Sequence, residues 1–225
     1  MPSPARTICV FCGSSTGLDP IYMDYARELG RAFLAHDFAL VYGGGALGLM
    51  GALASTVHEG GGKVTGVIPD VMLAEVQGIT IGETEVVRDL QERKARFNQL
   101  VCVRVFRFAV WCDAYIALPG GYGTMDELFE VIYLSQNGTH AKPILVMDIK
   151  GYFRPFFDWI ELSAREGFIR EQLRFIVRSC ASVDEAIVAL REYVSPTVLR
   201  RLQVEKEGAA EKEAEAEAEV KENVE

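Results

Sequence analysis

The sequence predicts an α/β fold: a doubly wound, mostly parallel sheet with helices on both faces. Short β-rich runs alternate with longer segments of helical periodicity through almost the whole chain. The runs themselves are close to continuously apolar, as strands covered on both faces are. Three of them end in small-residue loops, "CGSSTG", "YGGGALGLMG" and "LPGGYGT", which suits the carboxyl rim of such a sheet, where its ligands bind.

Taken in order, "TICVFCG" reads as a strand running into a polar turn. "DPIYMDYARELGRAFLAHD" has apolar residues at Tyr22, Tyr25, Ala26, Leu29, Ala32 and Phe33, a spacing of threes and fours that gives a helix one buried stripe. "FALVYGGG" is the next strand, "LGLMGALASTVHEGGG" a helix stopped by glycines, and "KVTGVIP" a third strand. A loop and the helical "RDLQERKARFNQL" follow. Then come "AYIALPGG" as strand, "DELFEVIYLSQNG" as helix, "KPILVMD" as strand, and helices around 153–166 and 183–193. No internal repeat is present.

With 225 residues, 49% of them hydrophobic, the chain can bury one sizeable core. The expected organisation is a single nucleotide-binding catalytic domain over 1–204 and an acidic, Glu/Ala-rich tail over 205–225, disordered or a solvated helix. That tail holds nine Glu and three Lys, so −6 of the net −9 belongs to it and −3 to the body. A nearly balanced body without a basic stripe argues against duplex DNA or RNA as a partner. No run of about 18 apolar residues and no signal-like start is present, so a soluble, cytoplasmic protein with no membrane partner is expected.

The five cysteines, Cys9, Cys12, Cys102, Cys112 and Cys180, are too few and too scattered for a disulfide framework. Cys9 and Cys12 are spaced as a redox or zinc pair, but on a strand positions three apart face opposite sides. His36, His58 and His140 have no ligand spacing. No metal and no cofactor is expected.

Gly43-x-Gly45-x-x-Gly48 matches a dinucleotide fingerprint in letters but follows the second strand rather than the first, and the next strand lacks the acidic residue at the expected distance. Three readings stay open: a nucleotide or phosphate contact, close helix-to-sheet packing, and a dinucleotide site. Pro119-Gly120-Gly121-x-Gly123-Thr124 is more specific. Three glycines after a buried strand, opening a helix, allow backbone amides to approach an anion. Two carboxylates, Asp126 and Glu127, lie beside this anion site. Locally Thr124-x-x-Glu127 is a capping box, which would turn Glu127 onto its own backbone. "QERKARF" reads by itself as a solvated helix face with a Glu92–Arg96 pair, or it brings Arg93 over the same rim.

Together "FCGSSTG", "VYGGGALGLMG", "RKA" and "PGGYGTMDE" resemble the LONELY GUY (LOG) family of cytokinin-activating phosphoribohydrolases, long labelled lysine decarboxylases. The resemblance spans roughly residues 6–195. It implies a Rossmann-like homodimer that hydrolyses the N-glycosidic bond of an N6-substituted AMP, releasing free base and ribose 5-phosphate. It implies Arg93 and Glu127 for catalysis. Substrate contacts would fall on Glu75, Lys94, Gly120, Gly121, Tyr122, Gly123, Thr124 and Asp126, with the loops Gly13, Ser14, Ser15 and Gly43, Gly44, Gly45 closing the site. Such an enzyme takes a small-molecule nucleotide as its partner. The alternatives are a nucleosidase for plain AMP and a catalytically silent nucleotide-binding module of the same fold.

One segment departs from the family. "VCVRVFRFAVWC", Val101 to Cys112, is extra chain between the two catalytic motifs. It reads as a surface extension, a longer strand, a translated intron, or an insertion that pulls Arg93 away from the glycine turn.

Overall fold

The structure, a computed structural model, describes residues 6–73, 79–98, 112–194, 196 and 204. Strands β1 (Thr7–Phe11), β2 (Ala39–Tyr42), β3 (Val64–Pro69), β4 (Glu83–Val87), β5 (Ala114–Ala117), β6 (Ile144–Met147) and β7 (Val177–Cys180) form one sheet in the order β4-β3-β2-β1-β5-β6-β7. All six pairings are parallel. The helices are α1 (Ile21–Ala35), α2 (Gly48–Glu59), the short α3 (Asp70–Leu73), α4 (Leu90–Asn98), α5 (Tyr122–Gln136), α6 (Arg154–Arg165) and α7 (Val183–Arg191).

Side chains alternate across each strand, so the sheet carries two cores. Ile8, Val10 and Cys12 pack with α1, α2 and α7 on one face. Cys9, Phe11 and Tyr115 pack with Phe97 of α4, Leu128 and Val131 of α5, and Phe156 and Ile160 of α6 on the other. Cys9 and Cys12 therefore diverge onto opposite faces, as their spacing predicts. Full burial of side chains such as Leu128 and Val131 stabilises the fold by about 1.5–3 kcal/mol each.

Two strands escape the sequence reading, β4 and β7. They are the two edges of the sheet. With one partner each they need no continuous apolar run: "ETEVV" leaves its first two residues exposed and "VRSC" its middle two. A further correction concerns α5. The predicted helix from Asp126 starts four residues earlier, at Tyr122, with Gly121 as N-cap. Thr124 thus lies inside the first turn and is not the cap, and no side chain caps this end.

The strand order reverses direction between β1 and β5, and the loops leaving their carboxyl ends lie side by side. That switch point is where an open parallel sheet leaves a crevice. Among the described residues no helix is long and apolar enough to cross a membrane.

Candidate active site

The site grows from β5. Its residues and Leu118 are fully buried, so the chain leaves the sheet rigidly held and turns at Pro119. Gly13 at the end of β1 donates its N–H to Pro119 O at 3.0 Å. A Cβ on Gly120 would meet the Thr124 side chain and, at 2.8 Å, the Gly13 nitrogen. Glycine is what allows the two loops to touch.

In α5 the first bond of the helical ladder runs from Met125 N–H to Gly121 O, at 3.1 Å. The amides of Tyr122, Gly123 and Thr124 precede that ladder and carry the positive end of the helix dipole. A Cβ at Gly121 or Gly123 would meet nothing within 4 Å. The mouth of the turn is therefore open, with donors facing an approachable space, which is the geometry that holds a phosphate.

The second glycine loop is built differently. The α2 amides of Leu49 and Met50 donate to Gly13 O at 3.1 and 3.3 Å. Gly48, at φ +58°, has no room for a side chain against the Ser14 and Ser15 backbone. These amides already have a protein acceptor, so the geometry sides with close packing for Gly43-x-Gly45-x-x-Gly48 rather than with an anion or dinucleotide contact at this helix end. Gly44, at φ +80°, leaves no room for a side chain against Ile68, and a Cβ on Gly45 would come 3.1 Å from Met50 Cε. A Cβ on Gly43 would strike Arg93 Nη2, with Met50 Sδ 3.0 Å away. Gly43 is thus the seat of the Arg93 guanidinium.

Arg93 stands one turn into α4, which starts in a fixed place because Asp89 Oδ1 accepts from Glu92 N–H at 2.8 Å. Its side chain is 11% exposed, as is that of Glu127, and Nη2 donates to Glu127 Oε1 at 2.7 Å. The guanidinium lies 5.3 Å from the Phe97 ring centre. Buried Arg93 Nε has no hydrogen-bond acceptor among the described residues, a donor left over for something else to satisfy. The next residue, Lys94, reaches the same helix: Nζ is 3.2 Å from Asp126 and 2.8 Å from Glu130.

Glu127 is therefore no cap. It lies in the second turn of α5, on the side facing α4. Burial pushes its carboxyl up to about 7, against the pull of Arg93 and Lys94 and with the push of Asp126 and Glu130. A buried carboxylate that exchanges its proton near neutrality, beside a guanidinium and above an open anion cradle, can act as a base or face a developing cation.

The structure thus brings together Arg93, Glu127, Lys94, Asp126, Gly120, Gly121, Tyr122, Gly123 and Thr124, with Gly13 and Gly43 as close supports. Ser14 and Ser15 lie exposed on the neighbouring loop, and Gly44 and Gly45 are buried beneath it. Glu75 and the segment Val101 to Trp111 lie outside the described residues, as does the tail over 205–225. The displaced-arginine reading fails on the 2.7 Å Arg93–Glu127 contact. The predicted Glu92–Arg96 pairing gives way to other partners: Glu92 turns back to Arg88, and Arg96 pairs with Glu85 of β4. Glu130 is the member that the sequence reading missed. Its spacing, four residues beyond Asp126 and so on the same helix face, is the signal that could have found it.

Sheet topology, the open glycine turn and the buried Arg–Glu pair define a Rossmann-like α/β protein with a candidate anion site beside a buried acid. A family model described as "possible lysine decarboxylase" matches residues 50–190. The rice protein named cytokinin riboside 5'-monophosphate phosphoribohydrolase LOG is 45% identical over 190 residues, covering 84% of this chain and 74% of the relative. The Arabidopsis thaliana enzyme of that name, LOG3, is 42% identical over 192 residues, covering 85% and 84%. The chain belongs to the LOG family. The Chlamydomonas reinhardtii Moco carrier protein shares the fold alone, with 20% identity, a TM-score of 0.55, and coverage of 84% of this chain and 96% of its own.

Proposed function

We propose that this chain hydrolyses the N-glycosidic bond of cytokinin riboside 5'-monophosphates, N6-substituted AMP, to the free base and ribose 5-phosphate. The observation that carries the reading is the buried Arg93–Glu127 pair, 2.7 Å apart, within two turns of the open amide end of α5. The relatives named as phosphoribohydrolases support it.

The 5'-phosphate binds the amides at the start of α5, which directs the ribose over Glu127. As the C1'–N9 bond lengthens, positive charge develops on the sugar ring. The Glu127 carboxylate stabilises that charge and takes the proton of a water whose oxygen bonds to C1'. The electron pair of the broken bond leaves on the base, which takes up a proton. Arg93 holds Glu127 in orientation and offers its remaining N–H to the phosphate or the departing base. Acid beside a phosphate cradle is thus useful because the anionic and cationic ends of the reacting nucleotide lie a few ångströms apart.

In this reading residues 1–204 form one catalytic domain of a cytoplasmic homodimer. Phe129 and Tyr133 of α5 and Trp159 of α6 are 40%, 64% and 46% exposed. They flank a cleft of about 190 Å³. An apolar surface of this kind on two adjacent helices fits a second copy of the chain.

Incubation with isopentenyladenosine monophosphate, AMP and the unphosphorylated riboside, with released base measured by chromatography, tests the function. Release from the N6-substituted monophosphate ahead of the other two is the expected result. Faster release from AMP would make it a general nucleotide nucleosidase, and release from the riboside alone would remove the phosphate cradle from the mechanism.

A further inference from the structure

The peptide between Gly120 and Gly121 is flanked by two residues with no side chain to hinder rotation of its plane. Its carbonyl is anchored from a distant part of the chain: Tyr152 Oη donates to Gly120 O at 2.5 Å. A trans peptide is planar, so its C=O and N–H point in opposite directions. Fixing the Gly120 oxygen therefore also fixes where the Gly121 N–H points, at the entrance to α5.

Tyr152 is itself well held although 44% exposed. Its ring stands edge-on to Phe153 at 5.1 Å and to Tyr22 at 6.1 Å. Phe153 is buried, and its N–H donates to Asp148 Oδ1 at 2.7 Å. On the side of the β1 loop, Lys150 Nζ reaches Asp19 Oδ2 at 2.5 Å, while Asp19 Oδ1 accepts from Ile21 N–H at 3.0 Å. Lys150 adopts φ +57° here, a left-handed conformation that is unfavourable for a non-glycine residue. The corner after β6 is thus clasped to the loop after β1, with the tyrosine hydroxyl set on the loop after β5.

We propose that Tyr152 is a positioning residue for phosphate recognition. Its hydroxyl locks the Gly120–Gly121 peptide so that the Gly121 N–H, next in line to the amides of Tyr122, Gly123 and Thr124, is aligned before a sugar phosphate arrives. This rests on the proposed function, and the sugar phosphate is the part of that substrate it concerns.

Tyr152→Phe removes the hydroxyl and keeps the ring contacts. Calorimetric titration of native protein and variant with ribose 5-phosphate and with adenosine separates the outcomes. The expected result is about a five- to tenfold weaker affinity of the variant for ribose 5-phosphate, the scale of one lost hydrogen bond, with adenosine binding unchanged. The KM for the phosphorylated nucleotide should rise by the same factor, with kcat held. Native protein that binds ribose 5-phosphate no better than the variant overturns the positioning role alone, as does an equal loss for adenosine. Native protein that binds no sugar phosphate at all overturns the proposed function, and this inference with it.

Discussion

Glu127 and Arg93 depend on one another at the scale of single atoms. A carboxylate taken out of water is costly, and only close pairing with hydrogen bonds makes it tolerable. Glu127→Gln retains an acceptor for Arg93 but cannot take a proton, so turnover should fall about a hundredfold or more with nucleotide affinity kept. Steady-state kinetics on the monophosphate checks this, and native-rate turnover would reduce Glu127 to a structural residue. In the proposed mechanism the working form is the ionised one. With the carboxyl at about 7, kcat/KM of the native enzyme should climb with pH to a plateau above neutrality.

The same shift sets a stability prediction. The folded carboxyl titrates at about 7 against an ordinary 4.5, so between those values the folded chain retains a proton that the unfolded chain has released. The contribution of this group is fully present below pH 4.5 and is lost as pH rises through 7. Melting temperatures of Glu127→Gln should therefore gain on native protein as pH is raised across that window. A constant difference would place the titration elsewhere. Gly43→Ala tests the seat of the guanidinium. It should cut turnover in native protein but cost little more in an Arg93→Ala background, a non-additivity that a double-mutant cycle reads directly.

Elements carry these residues to each other. The α4 helix brings Arg93 and Lys94 to α5, and the α5 carboxylates Asp126, Glu127 and Glu130 meet them. The start of α4 is set by Asp89, so Asp89→Ala should destabilise the fold by about 1 kcal/mol in chemical denaturation. If the register of α4 is what aligns Arg93, that variant should also lose turnover. How the elements were read follows from where each lies. Central strands such as β1 and β5 are buried on both faces and announce themselves as apolar runs. Edge strands β4 and β7 carry charge and hydroxyl groups because solvent reaches them, and the sequence alone does not distinguish them from loops. The early start of α5 at Tyr122 was hidden for a different reason. Its first turn is Tyr-Gly-Thr, poor helix formers that the rigid exit from β5 and the contact of Gly120 with Thr124 hold in place.

For the molecule as a whole, the sheet sets the α2 and α5 amino ends on the same rim but gives them different tasks. One is capped by Gly13 O, the other is left open. The exposed α5–α6 face adds a prediction at this scale: Tyr133→Asp should convert a dimer into a monomer in sedimentation velocity, because a charge at the centre of an apolar contact is desolvated without a partner. A native protein that sediments as a monomer would remove the dimer from the proposed function.

Local chemistry along the chain was enough to determine the alternation of strand and helix and the glycine turn after a buried strand, and its resemblance pointed to Glu127 and Arg93 as the residues to look for at that turn. Such features are carried by neighbouring residues. Only the tertiary structure decided that Glu127 turns to Arg93 rather than back to its own helix end, that Gly43 makes room for a side chain from another element, and that Tyr152 holds the Gly120 carbonyl. These depend on contacts between residues 32 to 50 positions apart in the chain. Their geometry exists only once the sheet has set its loops side by side.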